Sequence, residues 1–194
     1  INTGYSANTC LISNFKYFSI SERGQNEVGM KSSLINRRMR LNVAAFRMDY
    51  EDIQISASSD QVTTASTKAN LGEATMQGLE MEMRALIGDK LTVGANIGYL
   101  DDEIDSLAGT LISNTVVIGT GNDLPNTPDW TLSLMAKYEM QLSSGATLSL
   151  RADYAAKDDF HYRAENLVET ENDDYQNLNV SGTYVTADGS WEAA

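Results

Sequence analysis

Trp130-Thr131-Leu132-Ser133-Leu134-Met135-Ala136-Lys137-Tyr138-Glu139-Met140-Gln141-Leu142 alternates with period two. Trp130, Leu132, Leu134, Ala136, Tyr138, Met140 and Leu142 fall on one side, and Thr131, Ser133, Met135, Lys137, Glu139 and Gln141 on the other. Successive side chains of an extended chain point to opposite faces, so thirteen residues of this pattern make a strand with one apolar and one wet face. After the turn-forming Ser143-Ser144-Gly145-Ala146 the pattern resumes. Leu148, Leu150, Ala152 and Tyr154 now oppose Thr147, Ser149, Arg151 and Asp153, and the two strands read as a hairpin.

The same logic holds on either side. Leu79, Met81, Met83, Ala85 and Ile87 alternate with Glu80, Glu82 and Arg84; Leu91, Val93, Ala95, Ile97 and Tyr99 alternate with Thr92, Gly94, Asn96 and Gly98. Val28, Met30 and Leu34 stand against Glu27, Gly29 and Lys31, and Leu178, Val180 and Tyr184 against Asn177, Asn179, Ser181 and Thr183. Short turns fall at 35–38, 87–90, 143–146 and 186–190, and long polar stretches at 55–72, 101–128 and 157–174. Tight turns at one end and long loops at the other are the pattern of an outer-membrane barrel. The expected fold is therefore all-β: an antiparallel up-and-down transmembrane β-barrel, here a partial open wall of about 8–9 strands with short periplasmic turns and long extracellular loops. Eight strands are counted, the last cut short by the end of the chain, with a ninth before residue 8 joined by a loop over 9–24.

Segment 39–54 changes phase. Met39, Leu41 and Val43 are apolar at odd positions, then Phe46, Met48 and Tyr50 at even ones. One extra residue flips the alternation, so a β-bulge is expected at Ala44-Ala45, placing Arg40, Asn42, Arg47 and Asp49 on one wet face. At 16 residues this strand should project beyond the membrane. Twelve charged residues (27, 31, 47, 49, 51, 80, 82, 84, 137, 139, 151 and 153) then share the wet face. Turning them all to lipid would cost on the order of ten kcal/mol, which sets the register. Tyr50, Tyr99, Trp130 and Tyr154 end strands beside the long loops, where an aromatic girdle belongs.

A formal charge of -13 argues against nucleic acid, whose phosphates need a basic footprint. No run of 18 apolar residues is present, so no transmembrane helix is expected, although barrel strands need none. Cys10 is the sole cysteine and can form no intrachain disulfide. Both prolines lie in Leu124-Pro125-Asn126-Thr127-Pro128, outside the strands. The chain begins without an initiator Met or signal pattern and stops as a strand begins, so we expect an internal fragment.

Four motifs carry a resemblance. Asn26-Glu27-Val28-Gly29-Met30-Lys31-Ser32 is similar to the "yElGlKs" strand of TonB-dependent outer-membrane receptors. Leu41-Asn42-Val43-Ala44-Ala45-Phe46 with Asp49-Tyr50-Glu51-Asp52-Ile53-Gln54 resembles their next strand, Gly78-Leu79-Glu80-Met81-Glu82 their "GlElE" strand, and Leu124-Pro125-Asn126-Thr127-Pro128 their "lpn.P" segment. The order is right, over almost the whole chain. The resemblance implies a 22-stranded barrel in the Gram-negative outer membrane, closed by an N-terminal plug and importing a scarce nutrient, most often an iron–siderophore complex. Its implied partners are outer-membrane lipid, the plug, the TonB inner-membrane energy-coupling complex and a metal chelate or other small nutrient. Residues 1–194 are expected to be barrel only, without the plug, the TonB-box segment and the terminal strands.

Little here suggests catalysis. His161 is the only histidine, in the loop Asp158-Asp159-Phe160-His161-Tyr162-Arg163, and barrel-based lipid hydrolysis needs such a base beside a serine. Asp101-Asp102-Glu103-Ile104-Asp105 lacks the spacing and glycine of a calcium loop, and neither a cofactor nor a metal site is expected. Ligand contacts should come from loops on the rigid wall: Phe160, His161, Tyr162 and Arg163, with Asp101, Asp102, Glu103 and Asp105 beside them. Lumen-facing Glu80, Arg84, Lys137, Glu139, Arg151 and Asp153 should pair across strands or face the plug. The rival readings are a passive porin-like or adhesive barrel, a barrel enzyme, and a soluble acidic β-sheet protein.

Overall fold

The computed structural model describes residues 15–22, 24–51, 54–57, 67–70, 72–107, 112–113 and 116–193, with side chains described over 24–51, 72–107 and 118–193. In chain order the strands are β1 Phe15–Glu22, β2 Gln25–Leu34, β3 Met39–Glu51, β4 Gln54–Ala57, β5 Thr67–Asn70, β6 Gly72–Ile87, β7 Leu91–Leu107, β8 Ile112–Ser113, β9 Val116–Val117, β10 Trp130–Gln141, β11 Thr147–Lys157, β12 Phe160–His161, β13 Glu171–Asn172, β14 Tyr175–Val185 and β15 Glu192–Ala193. Nine of them form one sheet in the order β1-β2-β3-β6-β7-β10-β11-β14-β15, each antiparallel to its neighbours. β1 and β15 end the order without pairing to each other, so the sheet is an open wall. The pairs β4–β5, β8–β9 and β12–β13 are small hairpins within the three long connections.

Four tight turns close one end. Adjoining turns are tied there by Arg38, which donates to the Gly88 carbonyl and pairs with Asp89 Oδ1 at 2.8 Å. At the other end the chain departs from expectation. The first strand lies at Phe15–Glu22, joined to β2 through Gly24, where we expected a long loop over 9–24. Gly24 has φ +80, and its carbonyl accepts the Asp49 N–H at 2.6 Å; a Cβ there would stand 2.4 Å from the Asp49 carbonyl oxygen. The run Phe15-Lys16-Tyr17-Phe18-Ser19-Ile20 is aromatic and extended-prone, which is the signal for this strand. A strand before residue 8, like Cys10, lies outside the described residues.

The expected bulge at Ala44-Ala45 is absent. From Met39↔Ala85 to Glu51↔Glu73 the β3–β6 register runs unbroken. Arg40 and Asn42 therefore share a face with Phe46, Met48 and Tyr50, while Arg47, Asp49 and Glu51 share the other with Leu41 and Val43. What changes along β3 is its surroundings. Over one stretch of the wall the outward face is apolar, as lipid would require; nearer the loops it turns polar, as water would require, and at Ala74 and Ile104 the inward face packs against folded-in chain. Polar residues follow the water to the outside: Arg47 pairs with Asp49 at 3.1 Å, and Gln77 donates to Asp101 at 2.7 Å. Glu27, Lys31, Glu80, Glu82, Arg84, Lys137, Glu139, Arg151 and Asp153 do share the inner face, as expected. Tyr50 leaves the proposed girdle for that face.

Tyr99 and Trp130 are direct partners on the outer face, their ring centroids 4.7 Å apart, and the Tyr154 hydroxyl donates to Gln176 at 3.2 Å. A second aromatic row, not anticipated from the sequence, lies toward the tight turns: Tyr138 and Tyr184, both exposed on the outer face. Trp130 and Tyr138 are eight residues apart on one strand. That is about 26 Å along the strand, and about 20 Å in height at the usual tilt, so both rings fall within a barrel's apolar band of roughly 25 Å, toward its two edges. β3, with 13 residues, exceeds the roughly 9–11 that a crossing needs, as expected, and β6 and β7, with 16 and 17, overshoot it furthest.

Candidate functional site: a folded cap at the outer end

The overshoot of β6 and β7 carries a small core. Ala74 and Ile104 face inward and bury against Ile118, Leu124 and Ala164, which come from the long connections; Met76 and Leu107 pack at its edge. A register shift sits here, where Asp105 is the extra residue between Ile104, paired with Ala74, and Ser106, paired with Glu73. It returns Leu107 to the inner face beside Ile104, which strict alternation would forbid. Polar groups pin the connections to this core. The Ile104 N–H donates to the Asn122 carbonyl and the Gly121 N–H to the Ile104 carbonyl, each at 2.9 Å. Asn122 Nδ2 donates to the Ala164 carbonyl at 2.7 Å, and the Asn126 N–H to the His161 carbonyl at 2.8 Å. The loops are thus a folded ledge on the inner face.

The acidic run on β7 splits between two faces. Asp101 and Glu103 point outward, and Asp105 accepts a hydrogen bond from Thr75 at 2.7 Å. Asp102 turns inward, is 8% exposed, and accepts the Leu124 N–H at 2.6 Å. Burial pushes its carboxyl above the ordinary value, against the lowering effect of that hydrogen bond. Asp129 is raised as well, by burial and then by repulsion from Asp123, Asp158, Asp101 and Asp159. Acids from two connections and from β7 therefore converge near the start of β10. Among the described residues, no three metal-ligating side chains stand together as a metal site.

The second predicted run forms an aromatic corner. Phe160 and Tyr162 stack edge to face with centroids 5.1 Å apart at 72°, and Lys157 Nζ lies 4.1 Å above the Phe160 ring. The Tyr162 hydroxyl donates to Asn172 at 3.0 Å while its ring stays exposed. His161 is half-buried, with Nδ1 lacking a partner among the described residues. Arg163 is half-exposed and reaches Glu165, whose side chain is fully buried, only at 4.0 Å. Phe160 through Arg163 thus sit together on the ledge, with Asp102 beneath it, whereas Asp101, Glu103 and Asp105 lie on the wall's outer face. Lys157, Asn122 and Glu165 were missed from the sequence. Lys157 continues the wet-face alternation of β11, which was the available signal; the other two act through contacts some forty residues away or through burial.

Below the ledge, the inner face holds a trough of about 800 Å³, lined by side chains including Glu27, Lys31, Asn42, Glu80, Glu82 and Asn96. The ion pairs on β10 and β11, on the same face beside it, run along strands. Lys137 meets Glu139 at 2.9 Å and Arg151 meets Asp153 at 2.6 Å, while Asn42 donates across strands to Glu82 at 2.9 Å.

A twisted antiparallel wall with an apolar outer band between aromatic rows, a charged inner face and a loop ledge at one end defines a segment of an outer-membrane β-barrel. The sequence model of the family described as "TonB dependent receptor-like, beta-barrel" matches residues 22–192, and the chain belongs to that family. A probable TonB-dependent siderophore receptor, PiuA of Acinetobacter baumannii, is 27% identical over 152 residues, covering 75% of this chain and 20% of that protein. The chain thus spans about one fifth of the length of this curated relative. The crystal structure of that siderophore receptor PiuA superposes with a TM-score of 0.61 at 22% identity, over 82% of this chain and 22% of its own. The ferric yersiniabactin uptake receptor FyuA of Yersinia pestis does so at 0.63 and 16% identity, over 88% and 25%. These likenesses bear on the fold. The family is one of receptors rather than enzymes, and its place is the outer membrane of Gram-negative bacteria.

Proposed function

We propose that this chain is wall and outer ledge of a receptor that takes up a ferric siderophore, with energy relayed by the TonB complex and a plug inside the barrel. The observation that carries the reading is the family match over 22–192, and the siderophore receptor named among the relatives supports the cargo class. On this reading Phe160, His161, Tyr162 and Arg163 face the cargo, with Lys157 beside them. The exposed Tyr162 ring and half-exposed Arg163 offer stacking and charge to an iron chelate. Asp102 holds the ledge in shape, and Asp101, Glu103 and Asp105 lie at its outer rim. Nothing in the fold favours a passive or adhesive barrel over this.

The test is uptake of iron-55 loaded on a panel of siderophores by cells that carry or lack the full-length gene, under iron limitation. One siderophore should depend on the gene and on the membrane potential. Equal uptake in both strains for every chelate, or uptake that persists after de-energisation, rejects the reading.

A further inference from the structure

Arg40 and Arg84 are direct partners across the β3–β6 ladder, on the inner face. Paired side chains stand about 5 Å apart at Cβ, and like charges so placed repel. Two other cations of this face have an acid in contact: Lys137 has Glu139 and Arg151 has Asp153. Among the described residues neither Arg40 nor Arg84 makes a hydrogen bond or ion pair, and both are exposed. Their neighbours in the same row, Ser33 beside Arg40 and Gly94 beside Arg84, bring no charge and little bulk.

We propose that Arg40 and Arg84 form a two-pronged clamp for a carboxylate carried by a segment of the receptor outside this chain that packs against the inner face. Guanidinium groups present planar forks that match a carboxylate in two-point hydrogen bonding, and two of them side by side favour an anion held between. The nearest carboxylates of this face are engaged elsewhere: Glu82, two residues from Arg84, accepts from Asn42 at 2.9 Å, and Asp153, further along the same row, is held by Arg151. The chain spans 20% of its curated relative's length, so a receptor of that size has ample chain to supply one. The inference rests on the family reading, in which this face lines the barrel, and does not depend on the cargo.

The full-length receptor tests it, with the photo-cross-linking residue benzoylphenylalanine in place of Ser33. Irradiation should join this position to a peptide outside residues 1–194 that carries Asp or Glu next to the adduct. Arg40→Met with Arg84→Met should lower adduct yield about tenfold, the scale of a lost charge-assisted hydrogen bond. Arg40→Lys with Arg84→Lys should keep most of it, and heat-modifiable gel mobility reports that each variant is folded. Should the Met pair fail to fold, the Lys pair and the loss of adduct on acidification through the carboxylate range carry the test. An adduct insensitive to the Met pair, one confined to wall strands, or a partner peptide without a carboxylate overturns the proposal. So does stabilisation by inorganic phosphate without any adduct, which would make the pair a free-anion site.

Discussion

Phe46 lies directly opposite Gly78 in the β3–β6 ladder, and its ring covers the glycine so closely that a Cβ at 78 would stand 2.7 Å from Cζ. The same Cβ would meet the Tyr99 carbonyl oxygen at 2.4 Å. Aromatic and glycine are one packing unit here: the missing side chain is the space the ring occupies. Gly78→Ala should therefore destabilise the full-length receptor by about 1–3 kcal/mol, the cost of overpacking. Gly94→Ala is the control. Its new Cβ would meet nothing nearer than the flexible end of Met135 at 3.5 Å. Urea midpoints in detergent should separate the two, and equal midpoints would remove Phe46 as the cause.

The lipid register gives a second expectation. Leu134 lies on the outer face within the apolar band, whereas its chain neighbour Ser133 lies inside. Leu134→Arg should cost about 2–4 kcal/mol if it sits near mid-depth, while Ser133→Arg should cost far less. Folding yields in lipid vesicles measure both. A costly Ser133→Arg with a tolerated Leu134→Arg would reverse the faces of the wall.

Asp102 makes the ledge sensitive to pH. Its carboxyl is raised by burial, so the folded state holds the proton more tightly than the unfolded chain does. Stability from this group is then greatest below the unfolded value near ~3.9 and falls as pH rises through the folded one. Asp102→Asn keeps an acceptor for the Leu124 N–H and removes the charge. Protection at Leu124, the intrinsic amide exchange rate relative to the observed one at each pH, should rise on acidification in the parent and lose that dependence in the variant. A pH dependence surviving in Asp102→Asn assigns it to another group, with Asp129 the first to examine.

At the opposite end the sign is reversed. Asp188 is held down to about 2 by hydrogen bonds from the Thr186 and Ser190 hydroxyls and the Ser190 N–H. Its contribution to the last tight turn is full above the unfolded value near ~3.9 and disappears as pH falls through the folded one. Carboxyl-carbon NMR of the receptor should find Asp188 still ionised at pH 3, and Asp188→Ala should fray the β14–β15 hairpin at every pH. A titration midpoint near the ordinary aspartate value would dismiss the turn as its cause.

The strands were legible because their chemistry is local: Trp130 through Gln141 announces its two faces residue by residue. Ala44-Ala45 misled because alternation was read as geometry, on the assumption that each face of a strand keeps one solvent along its whole length. Phe46 and Arg47 exchange roles since the solvent changes, with the backbone undisturbed. Phe15–Glu22 was hidden because its alternation is broken: Phe15 and Tyr17 fall at odd positions, Phe18 and Ile20 at even ones. The ledge was out of reach for a different reason. Leu124, Ala164 and Asp102 matter through partners tens of residues distant, and no periodicity encodes such contacts. Phe160 through Arg163 were found by composition alone, without the knowledge that Lys157 caps their ring.

An uninterrupted ladder that passes from oil to water has a further meaning for how such walls diverge. Where the membrane begins is written only in side-chain identity, so replacing one outward polar residue by an apolar one, such as Arg47→Leu, would raise the waterline by one rung. Walls of this kind can thus be retuned to bilayers of different thickness by point substitution, without insertions and with every hydrogen bond of the ladder kept in place.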